Sequence, residues 1–170
     1  GRRITFNGVF IHTPQDGQSA LFEKTRLDHL ELDAGNRLWI NSPNKGIMLV
    51  DPQRRLWLAE HLSSNSPLPS NGINDMKFEP QRGLLYIATD NGAISLITTA
   101  KEAAKTFNDV RIYPNPVRPD FTGLLTIDGL LNNSYVKILD SGGELVRELQ
   151  SNGGRVTWDL RNGEGKLVAS

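Results

Sequence analysis

Val110-Arg111-Ile112-Tyr113-Pro114-Asn115-Pro116 divides this 170-residue chain into two kinds of sequence. Pro114 and Pro116 fix φ at alternate positions and remove two backbone donors. The stretch can therefore be neither helix nor central strand and is read as an extended entry into a new unit, a domain boundary. After it a short, Gly-punctuated segment of β character runs to the C-terminus; before it lies a longer segment with a repeating pattern.

On both sides the apolar residues alternate. Leu30 and Leu32, Leu38 and Ile40, Val136 and Ile138, and Val156, Trp158 and Leu160 follow the period of two that sends successive side chains to opposite faces of a strand. Five Asn-Gly pairs, at Asn7, Asn71, Asn91, Asn152 and Asn162, suit the positive φ of tight hairpin turns. Only Thr99-Ala100-Lys101-Glu102-Ala103-Ala104-Lys105 has helical character. Its good helix formers carry no apolar stripe, so it is read as a linker or a turn of helix. An all-β chain is expected.

Laying Leu27–Leu32 and Leu38–Ser42 over Ile73–Phe78 and Leu85–Thr89 matches apolar positions at offsets of 46 to 47. Each copy then reaches a glycine, Gly46 or Gly92, followed by Ile47-Met48-Leu49-Val50 or Ala93-Ile94-Ser95-Leu96. The period is close to the roughly 40 to 50 residues of a four-stranded propeller blade. Phe10-Ile11-His12-Thr13-Pro14 reads as a shortened copy of Trp39-Ile40-Asn41-Ser42-Pro43, at an offset of 29. About two blades fit in residues 1–98, fewer than the roughly four that close a propeller, so the chain is expected to be the C-terminal piece of something larger.

Lys plus Arg balances Asp plus Glu at 19 each, so no net field draws the chain to nucleic acid or an anionic membrane surface. The doublets Arg2-Arg3 and Arg54-Arg55 read as solvated edges. The absence of cysteine excludes disulfides, thiolate metal sites and Cys nucleophiles. Apolar runs such as Gly46–Val50 fall far short of the roughly 20 residues of a spanning helix. Gly1-Arg2-Arg3-Ile4-Thr5 shows no signal peptide, so an exported form is expected to have its start upstream.

The repeat, with strands ending in Leu38-Trp39-Ile40 or Leu85-Tyr86-Ile87 and the intervening Asn65-Ser66-Pro67-Leu68-Pro69-Ser70-Asn71, resembles the two-component-regulator-type propeller repeat of Bacteroidetes proteins. The tail from Phe107 onward resembles the type IX secretion C-terminal sorting domain. That likeness is carried by Val110–Pro116, by Val136-Lys137-Ile138-Leu139-Asp140 with Gly142 and Gly143, and by Val156-Thr157-Trp158-Asp159-Leu160 with Gly163 and Gly165. The combination is similar to accessory proteins of that secretion system. It implies a non-enzymatic component of the attachment complex at the outer-membrane cell surface, exported through the periplasm. The implied partners are the sortase PorU and, through it, PorV and PorQ, with anionic lipopolysaccharide presented to the sortase. The resemblance also implies a final strand of Gly-Val-Tyr type after Val168-Ala169-Ser170, so the domain as given is expected to lack its last strand, leaving an unpaired edge. Tyr113, Pro114, Asn115, Pro116, Gly142, Gly143, Trp158, Asp159 and Gly163 are the sorting-motif residues.

Other constellations have plainer readings. Asp140-Ser141-Gly142-Gly143 looks like a serine-protease nucleophile segment, yet it lies between two alternating strands and the nearest upstream histidine is His61, in the other domain; a hairpin turn is expected and no catalytic residue. His12, His29 and His61 lack a second ligand at i+2 or i+4, so no metal site and no cofactor are expected. Asp90-Asn91-Gly92 is followed by Ala93, Ile94 and Ser95 instead of the acidic ligands of a calcium loop and reads as a turn. Trp39, Tyr86 and Trp57 could stack on sugar rings, but Trp39 and Tyr86 share one repeat position, which blade packing explains. Trp158 is expected in the centre of a sandwich core. Arg155, Thr157 and Asp159 on the opposite face, with Arg161 and Lys166 near its end, read as a solvated face; Arg155, Thr157, Arg161 and Lys166 are the recognition candidates.

The expected architecture is thus terminal propeller blades over 1–98, a linker at 99–108, and a small antiparallel Ig-like β-sandwich over 109–170. Two other readings stand beside the accessory protein. One is a secreted cargo protein whose propeller binds glycan or protein and whose tail directs export; the other is the sensor region of a hybrid two-component system, against which the Tyr113–Pro116 motif and short tail argue.

Overall fold

The computed structural model describes residues 26–53 and 56–168. The shortened copy at 10–14 with His12, both basic doublets and the Asn7 turn lie outside them. The described residues form twelve strands and no helix. They fall into two compact units: the residues up to Glu79 with Leu84–Leu96, and Pro80–Gly83 with the residues from Ile97 onward.

In the first unit β1 (His29–Leu32), β2 (Leu38–Asn41), β3 (Ile47–Asp51) and β4 (Leu56–His61) form a four-stranded antiparallel sheet in chain order. Next, β5 (Ile73–Glu79), β6 (Leu84–Thr89) and β7 (Gly92–Ile97) form a three-stranded one. Alternation alone suggests half-buried strands, but β2 and β3 are buried on both faces. Leu38, Ile40, Met48 and Val50 fill one face. Trp39, Ile47 and Leu49 fill the other, packed with Met76, Phe78, Leu85 and Ile87 of the next sheet. Leu85 and Ile87 are the repeat equivalents of Leu38 and Ile40, so both sheets bury the same rows. The stack is tied by Glu31, whose Oε1 accepts the Phe78 N–H at 2.8 Å and pairs with Lys77 Nζ at 3.0 Å.

The shared repeat position of Trp39 and Tyr86 does not give them the same surroundings. Trp39 is 2% exposed and Tyr86 42%, because the second sheet covers the Trp39 row and no described residue closes over its own. Trp39 is fixed further by Asp33. That buried carboxylate accepts from Trp39 Nε1 at 3.2 Å, Arg37 Nε at 2.9 Å and the Gly35 N–H at 2.8 Å, closing the β1–β2 turn.

The Asn-Gly pairs also depart from expectation. Among the described ones only Asn91-Gly92 joins paired neighbouring strands, β6 and β7. Among the described residues the asparagines with positive φ are Asn36, Asn44 and Asn133, none followed by glycine. At Gly92 and Gly153 the glycine itself takes the positive φ, where the absent Cβ removes the strain.

In the second unit β8 (Arg111–Tyr113), β9 (Leu125–Asp128) and β12 (Arg155–Trp158) form a three-stranded sheet in the order β12-β9-β8, and β10 (Tyr135–Leu139) pairs with β11 (Leu145–Gln150). Leu125, Ile127, Val156, Trp158 and Leu160 make one core with Val136, Ile138, Val146 and Leu149. Trp158 is 8% exposed and its Nε1 donates to Arg161 O at 2.8 Å, which satisfies the one polar atom of a buried indole.

Two sequence expectations need correction here. The Tyr113–Pro116 motif is not the first element of the unit: β8 starts at Arg111 and ends on the motif's own tyrosine, where pairing with β9 stops, and Tyr113–Pro114 and Asn115–Pro116 are both cis. Residues 99–105 hold no turn of helix. They run extended along the unit, with Ala100 fully buried and Lys101 bridged in parallel to Gly153. Gly154 N–H donates to Lys101 O at 2.7 Å and Ala104 N–H to Leu130 O at 2.8 Å. Tertiary hydrogen bonds override a helix propensity worth only tenths of a kcal/mol per residue.

Candidate functional site

The sorting-motif tyrosine reaches into a polar cluster on the three-stranded sheet. Arg155 Nε donates to Asp128 Oδ1 at 2.5 Å and Nη2 to Asp128 Oδ2 at 2.9 Å, a bidentate pair between facing residues of β12 and β9. Arg155 Nη1 donates to Thr98 O at 2.9 Å and Nη2 to Tyr113 Oη at 3.3 Å; Tyr113 Oη donates to Asp128 Oδ2 at 2.8 Å, and Lys101 Nζ lies 3.3 Å from the same oxygen. Burial works to raise the Asp128 carboxyl, but hydrogen bonds from Arg155 and Tyr113 with the charges of Arg155 and Lys101 hold it below its ordinary value. Burial and the bond to Asp128 push the Tyr113 phenol up. The cluster joins Lys101, Tyr113, Asp128 and Arg155 at well separated positions, which no local motif announces.

This placement corrects the reading of Arg155 as solvated. It is 5% exposed, a structural cation and not a free surface group. Thr157 is half-buried, whereas Asp159, Arg161 and Lys166 are exposed. Arg161 Nη1 donates to Gly165 O at 2.8 Å, and Lys166 Nζ pairs with Glu164 at 2.9 Å. The recognition candidates therefore separate into buried Arg155, half-buried Thr157 and the exposed pair Arg161 and Lys166 on the 159–166 turn.

Gly142 and Gly143 lie in the β10–β11 turn, where Asp140 Oδ1 accepts the Gly142 N–H at 2.8 Å and the Glu144 N–H at 2.9 Å. Gly163 is exposed, its N–H donating to Val146 O at 3.0 Å. Pro114 and Pro116 line a shallow groove of about 340 Å³ with Arg118, Asp120 and Phe121. A larger groove of about 740 Å³ opens onto the core between Val117, Phe121, Ile138, Val146, Trp158 and Leu160. Its lining is mainly apolar, with Arg118 and Asp140 as its charged members. Among the described residues no group of three His, Cys, Asp or Glu is placed to hold a metal. His29 Nδ1 lies 3.1 Å from Asn41 Oδ1 and His61 stacks on Trp39 at 5.8 Å.

No family model and no curated protein sequence matches the chain. Among solved structures it is similar to PorZ, an essential bacterial surface component of the type-IX secretion system of Porphyromonas gingivalis, with 30% identity and a TM-score of 0.64 over 93% of this chain. The chain spans 21% of the length of PorZ. The likeness thus extends over most of both units and relates them to a part of a secretion-system surface component.

Proposed function

We propose that this chain is a part of a PorZ-like surface component of a type IX secretion system, in which it serves as a non-enzymatic docking element. The supporting observation is the likeness to PorZ over 93% of the chain at 30% identity. In this reading the first unit is a pair of propeller blades and the second a β-sandwich sorting domain. The stacking of Leu85 and Ile87 on the Trp39 row is how successive blades pack, and the exposed Tyr86 row is a surface that another blade of the full-length protein would cover. The protein acts at the outer-membrane cell surface, docks the sortase PorU together with PorV and PorQ, and presents anionic lipopolysaccharide. Rigid stacked sheets suit such work, because their rims and loops are free for partners while the core stays fixed.

Affinity purification of the full-length protein from its own cells tests this. Co-purification of the sortase and its outer-membrane partners with an intact second unit is expected. A protein released to the medium, without those partners and with the second unit cleaved off, would instead identify a secreted cargo protein.

A further inference from the structure

Four Asn-Gly pairs lie among the described residues, and the fold restrains three of them. Such a pair is open to a spontaneous reaction in which the glycine nitrogen attacks the asparagine Cγ, since no Cβ on the glycine obstructs the approach. The reaction slows where the fold holds the carboxamide or takes up the glycine N–H in a further tertiary hydrogen bond. Asn71 Oδ1 accepts the Ser63 N–H at 2.8 Å, and the Gly72 N–H is held by Ser70 Oγ at 3.0 Å. Asn162 Oδ1 accepts the Glu164 and Lys166 N–H groups, both at 3.0 Å, while the Gly163 N–H is held by Val146 O. Asn152 is half-buried, and the N–H of buried Gly153 donates to Asn132 Oδ1 at 2.9 Å.

Asn91 differs. It is exposed at the tip of the β6–β7 hairpin, and its carboxamide has no hydrogen-bond partner among the described residues. Nothing stands within 4 Å of the place a Cβ on Gly92 would take. The turn is held through Thr89 Oγ1, which accepts the Asn91 N–H at 3.2 Å and donates to Gly92 O at 2.8 Å. Neither bond restrains the Asn91 side chain. Loop tips of this kind are where local motion concentrates.

We infer that Asn91 is a site of spontaneous deamidation, the fastest of these four pairs. The Gly92 nitrogen bonds to Asn91 Cγ, the Cγ–Nδ2 bond breaks, and ammonia leaves with the proton lost from the Gly92 nitrogen. The resulting succinimide takes up one water, and opening at either carbonyl yields aspartate or isoaspartate at that position. The product places a second negative charge beside Asp90. Isoaspartate also lengthens the main chain between Thr89 and Gly92, the span bridged by the Thr89 hydroxyl. This inference is independent of any secretion role.

Incubation of the full chain at mildly alkaline pH, followed by peptide mapping by mass spectrometry with isoaspartate detection, tests it. The peptide carrying Asn91 is expected to gain about one mass unit several-fold faster than those carrying Asn71, Asn152 or Asn162. In urea the four rates should converge, since the tertiary restraints are gone. The variant Asn91→Gln should retain the hairpin and lose the early acidic form. Faster conversion at one of the other three pairs, no conversion at Asn91, or an unchanged ranking in urea would overturn the assignment.

Discussion

Arg155→Ala separates a solvated strand face from a buried ion pair. The guanidinium donates four hydrogen bonds, two to Asp128 and one each to Thr98 O and Tyr113 Oη. Truncation leaves Asp128, itself 7% exposed, with Tyr113 Oη at 2.8 Å and Lys101 Nζ at 3.3 Å as its partners in the cluster. Removing one side of a buried pair costs about 3–5 kcal/mol. Because two partners remain on Asp128, the loss here is expected near the lower end, about 3 kcal/mol. A residue on a solvated face would cost no more than about 0.5 kcal/mol, and a whole domain holds only about 5–15 kcal/mol. Urea unfolding followed by hydrogen exchange at the amides of β9 and β12 reads this difference in the second unit. Combining Arg155→Met with Asp128→Leu should recover most of the loss, because no unpaired charge is left inside. A change below about 0.5 kcal/mol on Arg155→Ala would refute the buried-pair account.

Three further outcomes are expected. Adding a methyl at Gly154 would put it 2.3 Å from Glu102 O and 3.1 Å from Ala103 Cα; Gly154→Ala should displace residues 101–104 and cost about 2 kcal/mol, from two lost backbone hydrogen bonds, with amide protection at Ala104 lost as the readout. Trp39→Ala should cost about 3–5 kcal/mol, whereas Tyr86→Ala, at the equivalent but exposed position, should cost under about 1 kcal/mol by urea unfolding. Burial lowers the His61 pKa, so its imidazole should titrate by NMR below the ordinary value of about 6.5. Its contribution to stability is present above that value and is lost as pH falls through the lowered one; a midpoint at or above 6.5 would remove the burial explanation.

The all-β class was legible because alternation and turn residues are local signals, as at Leu30 and Leu32, Val136 and Ile138, and Val156 and Trp158. The repeat was legible for the same reason, since offsets of 46 to 47 preserve the apolar rows. Trp158 could be placed in a core from its neighbours Val156 and Leu160 alone, because residues two apart on a strand share a face. Arg155 could not be placed from its strand. A period-two pattern tells which side of the sheet a residue takes but not what covers that side. The cover comes from Thr98 and Lys101, at the start of the 99–105 stretch whose composition favours helix and whose position is set by bonds of Lys101 to Gly153 and Gly154 and of Ala104 to Leu130, far along the chain. Trp39 and Tyr86 make the same point: one repeat position, one buried and one exposed, according to whether another sheet lies against it. The amino-acid order by itself determined the strands, their faces and their periodic recurrence. Only the tertiary structure decided which faces meet a partner and which charges are sealed inside, because burial is a property of what packs across a surface and is not carried by the residues on it.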